Sequence, residues 1–202
     1  GTTPILNAFL PNAEQYFGDL NDEELLGLGI AYDGIQYGTA ANPLLTIITA
    51  AKKDDDTYKD VELNWNDLGS SGNASLAVYG GGLTLDEFDT GTGYYRGTLY
   101  ADGTLKVDGT EGEPFNLGSS ANLYGTNVEI DANGDATIYG NVTSTNGGIS
   151  IKGDDVEIIG KLAASKVGDD AVSVKNIAKQ MPTGMTGPVD GLKDPKAALP
   201  TV

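Results

Sequence analysis

The sequence predicts an all-β fold of short strands, either a sandwich or a β-solenoid, with one or two short helices. Three observations predict it. Val61, Leu63 and Trp65 alternate with Glu62, Asn64 and Asn66, the period-2 pattern of a strand with one wet face. Gly makes up 29 of 202 residues, about twice its average usage of ~7%, and it gathers with Asp and Asn between the apolar segments. Finally, strand-like segments of four or five residues follow one another in quick succession across residues 117–162, which suits a sandwich, a barrel or a solenoid.

The chain divides into three stretches: an N-terminal arm with an irregular α/β segment (1–60), a β-rich core (61–162), and a C-terminal helix or strand followed by an extended Pro/Gly arm (163–202). In the first stretch, Asn12-Ala13-Glu14-Gln15 and Asn21-Asp22-Glu23-Glu24 read as helix starts. Asn21 and Glu24 have the capping-box spacing, in which each side chain bonds the other residue's free N–H. Gly27 and Gly29 keep that helix short. Residues 30–37 are apolar but broken by Gly34, a strand–turn–strand pattern. Asn42-Pro43 could cap a helix, but Leu45-Thr46-Ile47-Ile48-Thr49 is β-branched and loses side-chain freedom in a helix, so a strand is expected there.

In the core, residues 76–79 and 83–85 flank Gly80-Gly81-Gly82, and 94–100 lead through Ala101-Asp102-Gly103 into 104–107. Asp-Gly between two alternating runs predicts a hairpin, because Gly accepts the positive φ of a tight turn. Further on, 127–130, 135–139, 148–151 and 155–159 are separated by Asp131-Ala132-Asn133-Gly134, Thr145-Asn146-Gly147-Gly148 and Lys152-Gly153-Asp154. The spacing is not constant. Asp169-Asp170 begins either a helix through Met181, with Lys175 and Lys179 late, or a strand over 171–174; Pro182 stops both. Pro182, Pro188, Pro195 and Pro200 with Gly184, Gly187 and Gly191 leave the last twenty residues as an arm.

Composition excludes several chemistries. The chain has no Cys and no His, hence no disulfide, thiol nucleophile, imidazole base or Ser–His–Asp triad. Arg96 is the one arginine, and the net charge of −17 repels nucleic acid. Asp outnumbers Glu 20 to 9, and Asp suits turns because its carboxylate bonds nearby N–H groups. No apolar run reaches the roughly 20 residues that span a bilayer as a helix. Gly1 in the first position is what removal of a leader leaves, so an extracellular or cell-surface location is expected.

Candidate sites are few. Asp131, Asn133 and Asp135 place oxygens at positions one, three and five, as in an EF-hand loop. Ala136 and Val142 stand where that loop needs Gly and Glu, so a looser calcium site is weighed against a plain hairpin turn. No other cofactor is expected. Asn73-Ala74-Ser75 and Asn141-Val142-Thr143 are glycosylation sequons. Asp54-Asp55-Asp56 beside Lys52 and Lys53 reads as a charged loop. Asp86, Glu87, Asp89, Glu111 and Glu113 could supply a glycosidase pair, yet any chain with 29 acids offers candidates, and no enzyme is expected. Tyr94, Tyr95 and Tyr100, if exposed, could stack on sugar rings.

The pattern [Val/Ile]-x-Ile, turn, [Thr/Ser]-[Ile/Val] within residues 117–162 resembles the loose repeats of filamentous-haemagglutinin-like surface adhesins. The chain as a whole resembles secreted prokaryotic surface-layer, sheath or filament proteins. That resemblance implies an extracellular structural protein that assembles with copies of itself by inter-subunit β-pairing and terminal arms. The competing expectation is a monomeric carbohydrate or cell-surface binding module, or a viral tail-fibre domain.

Overall fold

A computed structural model describes residues 13–38, 45–68, 74–166 and 171–176. The arms at 1–6 and 183–202, the Asp169-Asp170 helix start, Asn42-Pro43 and Asn73 lie outside the described residues. Among the described residues two short helices come first, α1 (Ala13–Gly18) and α2 (Asp22–Gly27). The capping box at α2 forms as expected: the Asn21 side chain accepts from the Glu24 N–H at 2.9 Å, and the Asn21 N–H donates to Glu24 Oε1 at 3.2 Å.

Sixteen strands follow among the described residues: β1 (Ile30–Tyr37), β2 (Leu45–Ala50), β3 (Val61–Asn64), β4 (Ser75–Tyr79), β5 (Leu83–Phe88), β6 (Thr98–Ala101), β7 (Leu105–Gly109), β8 (Phe115–Leu117), β9 (Asn122–Gly125), β10 (Val128–Asp131), β11 (Ala136–Ile138), β12 (Asn141–Ser144), β13 (Ile149–Gly153), β14 (Val156–Ile158), β15 (Leu162–Ala164) and β16 (Val172–Asn176). They build three sheets. The first runs β1-β2-β4-β6-β9-β12-β15, the second β3-β5-β7-β10-β13-β16, and the third β8-β11-β14. Every pairing between these strands is parallel except β1 with β2. The result is a β-solenoid of about five turns.

Stacking turns sequence alternation into ladders. Inward on the second sheet, Val61, Leu83, Leu105, Val128, Ile149 and Val172 align on successive rungs, and all are buried. Each such side chain contributes about 1.5–3 kcal/mol by leaving water. On the first sheet the matching row is Leu76, Leu99, Leu123, Val142 and Leu162. Beside it, Ile48, Val78 and Ala101 align on three rungs and Gly125, Ser144 and Ala164 on the last three, with small residues towards the end. Buried Ser144 donates its hydroxyl to the Thr126 carbonyl at 2.7 Å and accepts from the Gly147 N–H at 2.9 Å, so this polar group is satisfied.

Two sequence expectations are corrected. Ala101-Asp102-Gly103 makes no hairpin: β6 and β7 lie in different sheets, and the turn is a corner of the solenoid. The Asp131-Ala132-Asn133-Gly134 turn is likewise a corner, from β10 in the second sheet to β11 in the third. The expected strand–turn–strand at residues 30–37 is instead a single strand, β1, with an irregularity between Ile30 and Ile35. At 172–176 the strand alternative holds.

The solenoid's beginning is covered. Phe17 of α1 joins the same core cluster as Ile30, Trp65 and the ladder residues, and its ring lies 6.4 Å from that of Tyr37 in β1. A short 3-10 turn (Trp65–Leu68) buries Trp65 against Phe88 at 4.8 Å and Tyr95 at 5.7 Å between ring centroids. Gly29, at φ +85, lets the cap close down: a Cβ there would lie 2.1 Å from the Asp60 carbonyl oxygen, and left-handed backbone already favours glycine.

Candidate functional site: the rim of the last rung

A strand at the end of a sheet carries a row of N–H and C=O groups that pair with another chain unless something blocks them. The two ends of this solenoid treat that hazard differently. At the first rung, β1 runs antiparallel on β2 and carries Asp33 at φ +50; the bulge and the charge blunt the edge. In the second sheet, the N–H of Glu62 in β3 donates to the Leu28 carbonyl at 3.0 Å, so the cap takes up part of that edge.

At the last rung, β14, β15 and β16 close their three sheets, and among the described residues no strand pairs with their outer sides. Parity shows which groups point outward. Along β15, the Lys161 carbonyl accepts from the Val142 N–H at 2.9 Å, and the Ser165 N–H donates to the Ser144 carbonyl at 3.2 Å. The groups of Leu162 and Ala164 therefore face away from β12. One edge has a local guard: the Val156 N–H of β14 donates to Asn176 Oδ1 at 2.6 Å. Beside β15 stands Ile159, an apolar side chain 61% exposed. Lys161, Lys166 and Lys175 share this rung with Asp154, Asp155 and Glu157, so the end is charged but mixed in sign.

The sequence-predicted site residues scatter over other corners. Asp131 ends β10; its Oδ2 lies 3.0 Å from Lys152 Nζ, and its Oδ1 accepts from the Asn133 N–H at 3.3 Å. Asn133, at φ +55, donates its side-chain amide to the Gly109 carbonyl at 2.8 Å. Asp135 is exposed in the following residues of the same corner. The Asp131 carboxylate is thus committed to the lysine of the next rung, and among the described residues no group of three or more acidic side chains is placed to hold a metal ion. Asn141 opens β12, exposed, and donates its side-chain amide to Asn122 Oδ1 one rung away at 3.2 Å.

The carboxylates offered for hydrolysis are spread along the solenoid, and Glu111 lines a shallow pocket with Asp131, Asn133, Lys152 and Asp154. Glu87, at φ +53, accepts from the side-chain amides of Asn64 and Asn66 at 3.0 and 3.1 Å. Asp89 accepts from the Gly91 N–H at 2.7 Å. Asp86, Asp108 and Asp131 lie on consecutive rungs of the second sheet's outer face. Partial burial raises the Asp108 pKa above the ordinary carboxylate value, and the charges of Asp86 and Asp131 add to this while Lys106 opposes it. In the Asp54–Asp56 turn, Asp55 accepts from both the hydroxyl and the N–H of Thr57, which hold its pKa low.

The tyrosines divide. Tyr95 is not exposed: it sits in the aromatic cluster with Trp65, Phe88 and Phe115, and its hydroxyl donates to the Ala74 carbonyl at 2.5 Å. Burial raises its pKa well above the usual phenol value. Sequence alternation missed this because the residue sits in an isolated bridge to Leu117 rather than in a strand. Tyr94 stacks on Tyr139 at 5.7 Å, over Gly118, where a Cβ would lie 3.2 Å from Tyr94 Cβ. Tyr100 meets Tyr79 edge-on at 5.9 Å and donates its hydroxyl to Asp102 Oδ1 at 2.6 Å.

Among the described residues no helix is long and apolar enough to cross a membrane. No family model, curated protein or solved structure matches the chain.

Proposed function

We propose that this chain is an extracellular structural protein that self-assembles into a sheath, surface layer or filament through β-pairing at the rim of its last rung. The observation that carries this reading is the contrast in edge protection. The first rung is bulged and covered, whereas β15 turns the N–H and C=O groups of Leu162 and Ala164 outward; charged side chains stand at both ends. Main-chain bonds to a neighbour would supply strength, and the alternating side chains would set register. The −17 charge and the lack of His and Cys fit a scaffold better than a catalyst.

Ala164→Pro tests the reading. It removes an outward N–H while leaving the β15–β12 bonds in place, and proline is tolerated on strand edges. Wild-type chain should form large particles by light scattering and electron microscopy, and the variant should stay small with an unchanged β spectrum. A wild-type chain that is monomeric across salt and calcium concentrations overturns the proposal.

A second reading, a carbohydrate-binding module, draws on the outer face of the first sheet. Tyr79, 44% exposed, lies beside Tyr100, and Tyr100 aligns with Tyr124 on the next rung. Amphipathic rings with a carboxylate at hand suit a sugar. Glycan titration monitored by tyrosine fluorescence, with Tyr79→Ala as control, tests it.

A further inference from the structure

Resting on the assembly reading, we propose that the rim of β15 accepts residues 5–10 of a second copy, so that the chain grows head to tail.

The cis alternative fails on reach. An extended chain spans at most about 3.6 Å per residue. Leu10 is three residues from Ala13, the first residue of α1, and so lies within about 11 Å of it. α1 sits at the covered end, with Phe17 packed near Tyr37. From β3 to β16 the second sheet makes five strand-to-strand steps, about 24 Å at ~4.8 Å each. Residues 7–10 stay within about 22 Å of Ala13, so the segment 5–10 cannot pair along its length with its own last rung, and this holds whatever precedes it.

Composition favours this segment as the donor. Ile5-Leu6-Asn7-Ala8-Phe9-Leu10 has no Pro, Gly or charge, and five of its six side chains are apolar. Every residue in it offers an N–H. Downstream of β16, prolines and glycines leave Ile177-Ala178-Lys179-Gln180-Met181 as the longest uninterrupted run; it is shorter and carries a charge. Acceptor geometry selects β15. The β14 edge is partly taken by Asn176, whereas among the described residues the outward groups of Leu162 and Ala164 have no such side-chain cap. Exposed Ile159 gives an incoming apolar segment a surface beside β15.

Because the donor leaves one end and the acceptor rims the other, the contact is heterologous and does not close by itself. Filaments follow from it. A pair of open rims meeting face to face would instead give a closed dimer.

Complementation tests this. Leu6→Lys with Phe9→Lys removes the donor on both faces of the segment, and Ala164→Pro removes the acceptor. Ala8→Pro gives a second donor-deficient chain. Each variant alone should be monomeric, with thermal unfolding like wild type. Mixed, a donor-deficient chain and the acceptor-deficient chain should give a one-to-one complex at twice 20.9 kDa and nothing longer. Donor-deficient chains that polymerise like wild type overturn the assignment of residues 5–10 while leaving assembly at the rim intact. Monomers that stay apart on mixing overturn it as well. Wild-type chain that never assembles removes the assembly reading together with this one.

Discussion

The first rung ends in helices and a bulged strand; among the described residues the last ends in three strand edges and one asparagine cap, and both ends carry acids and lysines. Both ends belong to one continuous hydrophobic core, so the difference is not one of folding against not folding. It lies in where the backbone's hydrogen-bonding capacity goes. At the start, the Glu62 N–H is turned inward to Leu28 and Asp33 guards the edge. At the finish, the groups of Leu162 and Ala164 point out. A solenoid extends by adding equivalent rungs, and among the described residues the cover lies at one end.

The largest expected effect separates the two ends by stability. Trp65→Ala at the covered end removes a ring packed against Phe88 and Tyr95 and should cost about 3–5 kcal/mol. Val174→Ala at the open end removes two methylene equivalents, at most about 1.6 kcal/mol, from a rim that can relax. Urea denaturation of both variants measures this directly. Equal losses would show that the last rung is as firmly held as the first, and the contrast would fail.

A smaller effect sharpens the role of the cap. Asn21→Ala removes the bond that the Glu24 N–H makes to the Asn21 side chain, while the Asn21 N–H keeps its Glu24 partner, and should cost about 1 kcal/mol, visible as a lower melting temperature. Assembly should be unaffected, because α2 lies away from the rim. An assembly defect in this variant would mean that the covered end takes part in the contact in some way other than by presenting residues 5–10.

The smallest effect concerns the outer face between the ends. The Asp108 pKa is raised on folding, chiefly by burial and then by its acidic neighbours. A raised carboxyl pKa means that the folded chain holds its proton more tightly, so this group's contribution is fully present below the unfolded value of about 3.9. It is lost as pH climbs through the higher folded value. Asp108→Asn should therefore raise the melting temperature at pH 7, by well under ~1 kcal/mol of stability once solvent screening is counted. At pH 3 the gain should vanish. A gain of the same size at both pH values would locate the effect in packing rather than charge.

Much of this fold was legible in the chain itself, and the missing part has a physical cause. Strands at 61–64, 128–131 and 149–153 announced themselves through alternation, and the Asn21–Glu24 cap through its spacing. Partnering was hidden. Asp102-Gly103 turns a chain equally well into a hairpin or around a solenoid corner, and local chemistry does not separate the two. The rungs also differ in length: Leu99 to Leu123 spans 24 residues and Leu123 to Val142 spans 19, so no fixed period surfaces. The three-residue strands Phe115–Leu117 and Leu162–Ala164 are too short to show alternation at all. The open rim was invisible for the same reason, since an edge exists only once neighbours are assigned. Tyr95 shows the converse error, in which a polar-tipped ring on a strand-like segment is taken for surface while its hydroxyl is satisfied by a buried carbonyl.

The central claim is that the outward amides of the last rung find partners in a neighbour. Hydrogen exchange at Leu162 and Ala164, followed by mass spectrometry in dilute monomer and in assembled material, tests it most directly. Slowing by tenfold or more on assembly, with the α2 amides unchanged, is the predicted result. Equal exchange in both states, in material shown by microscopy to be polymeric, would contradict it.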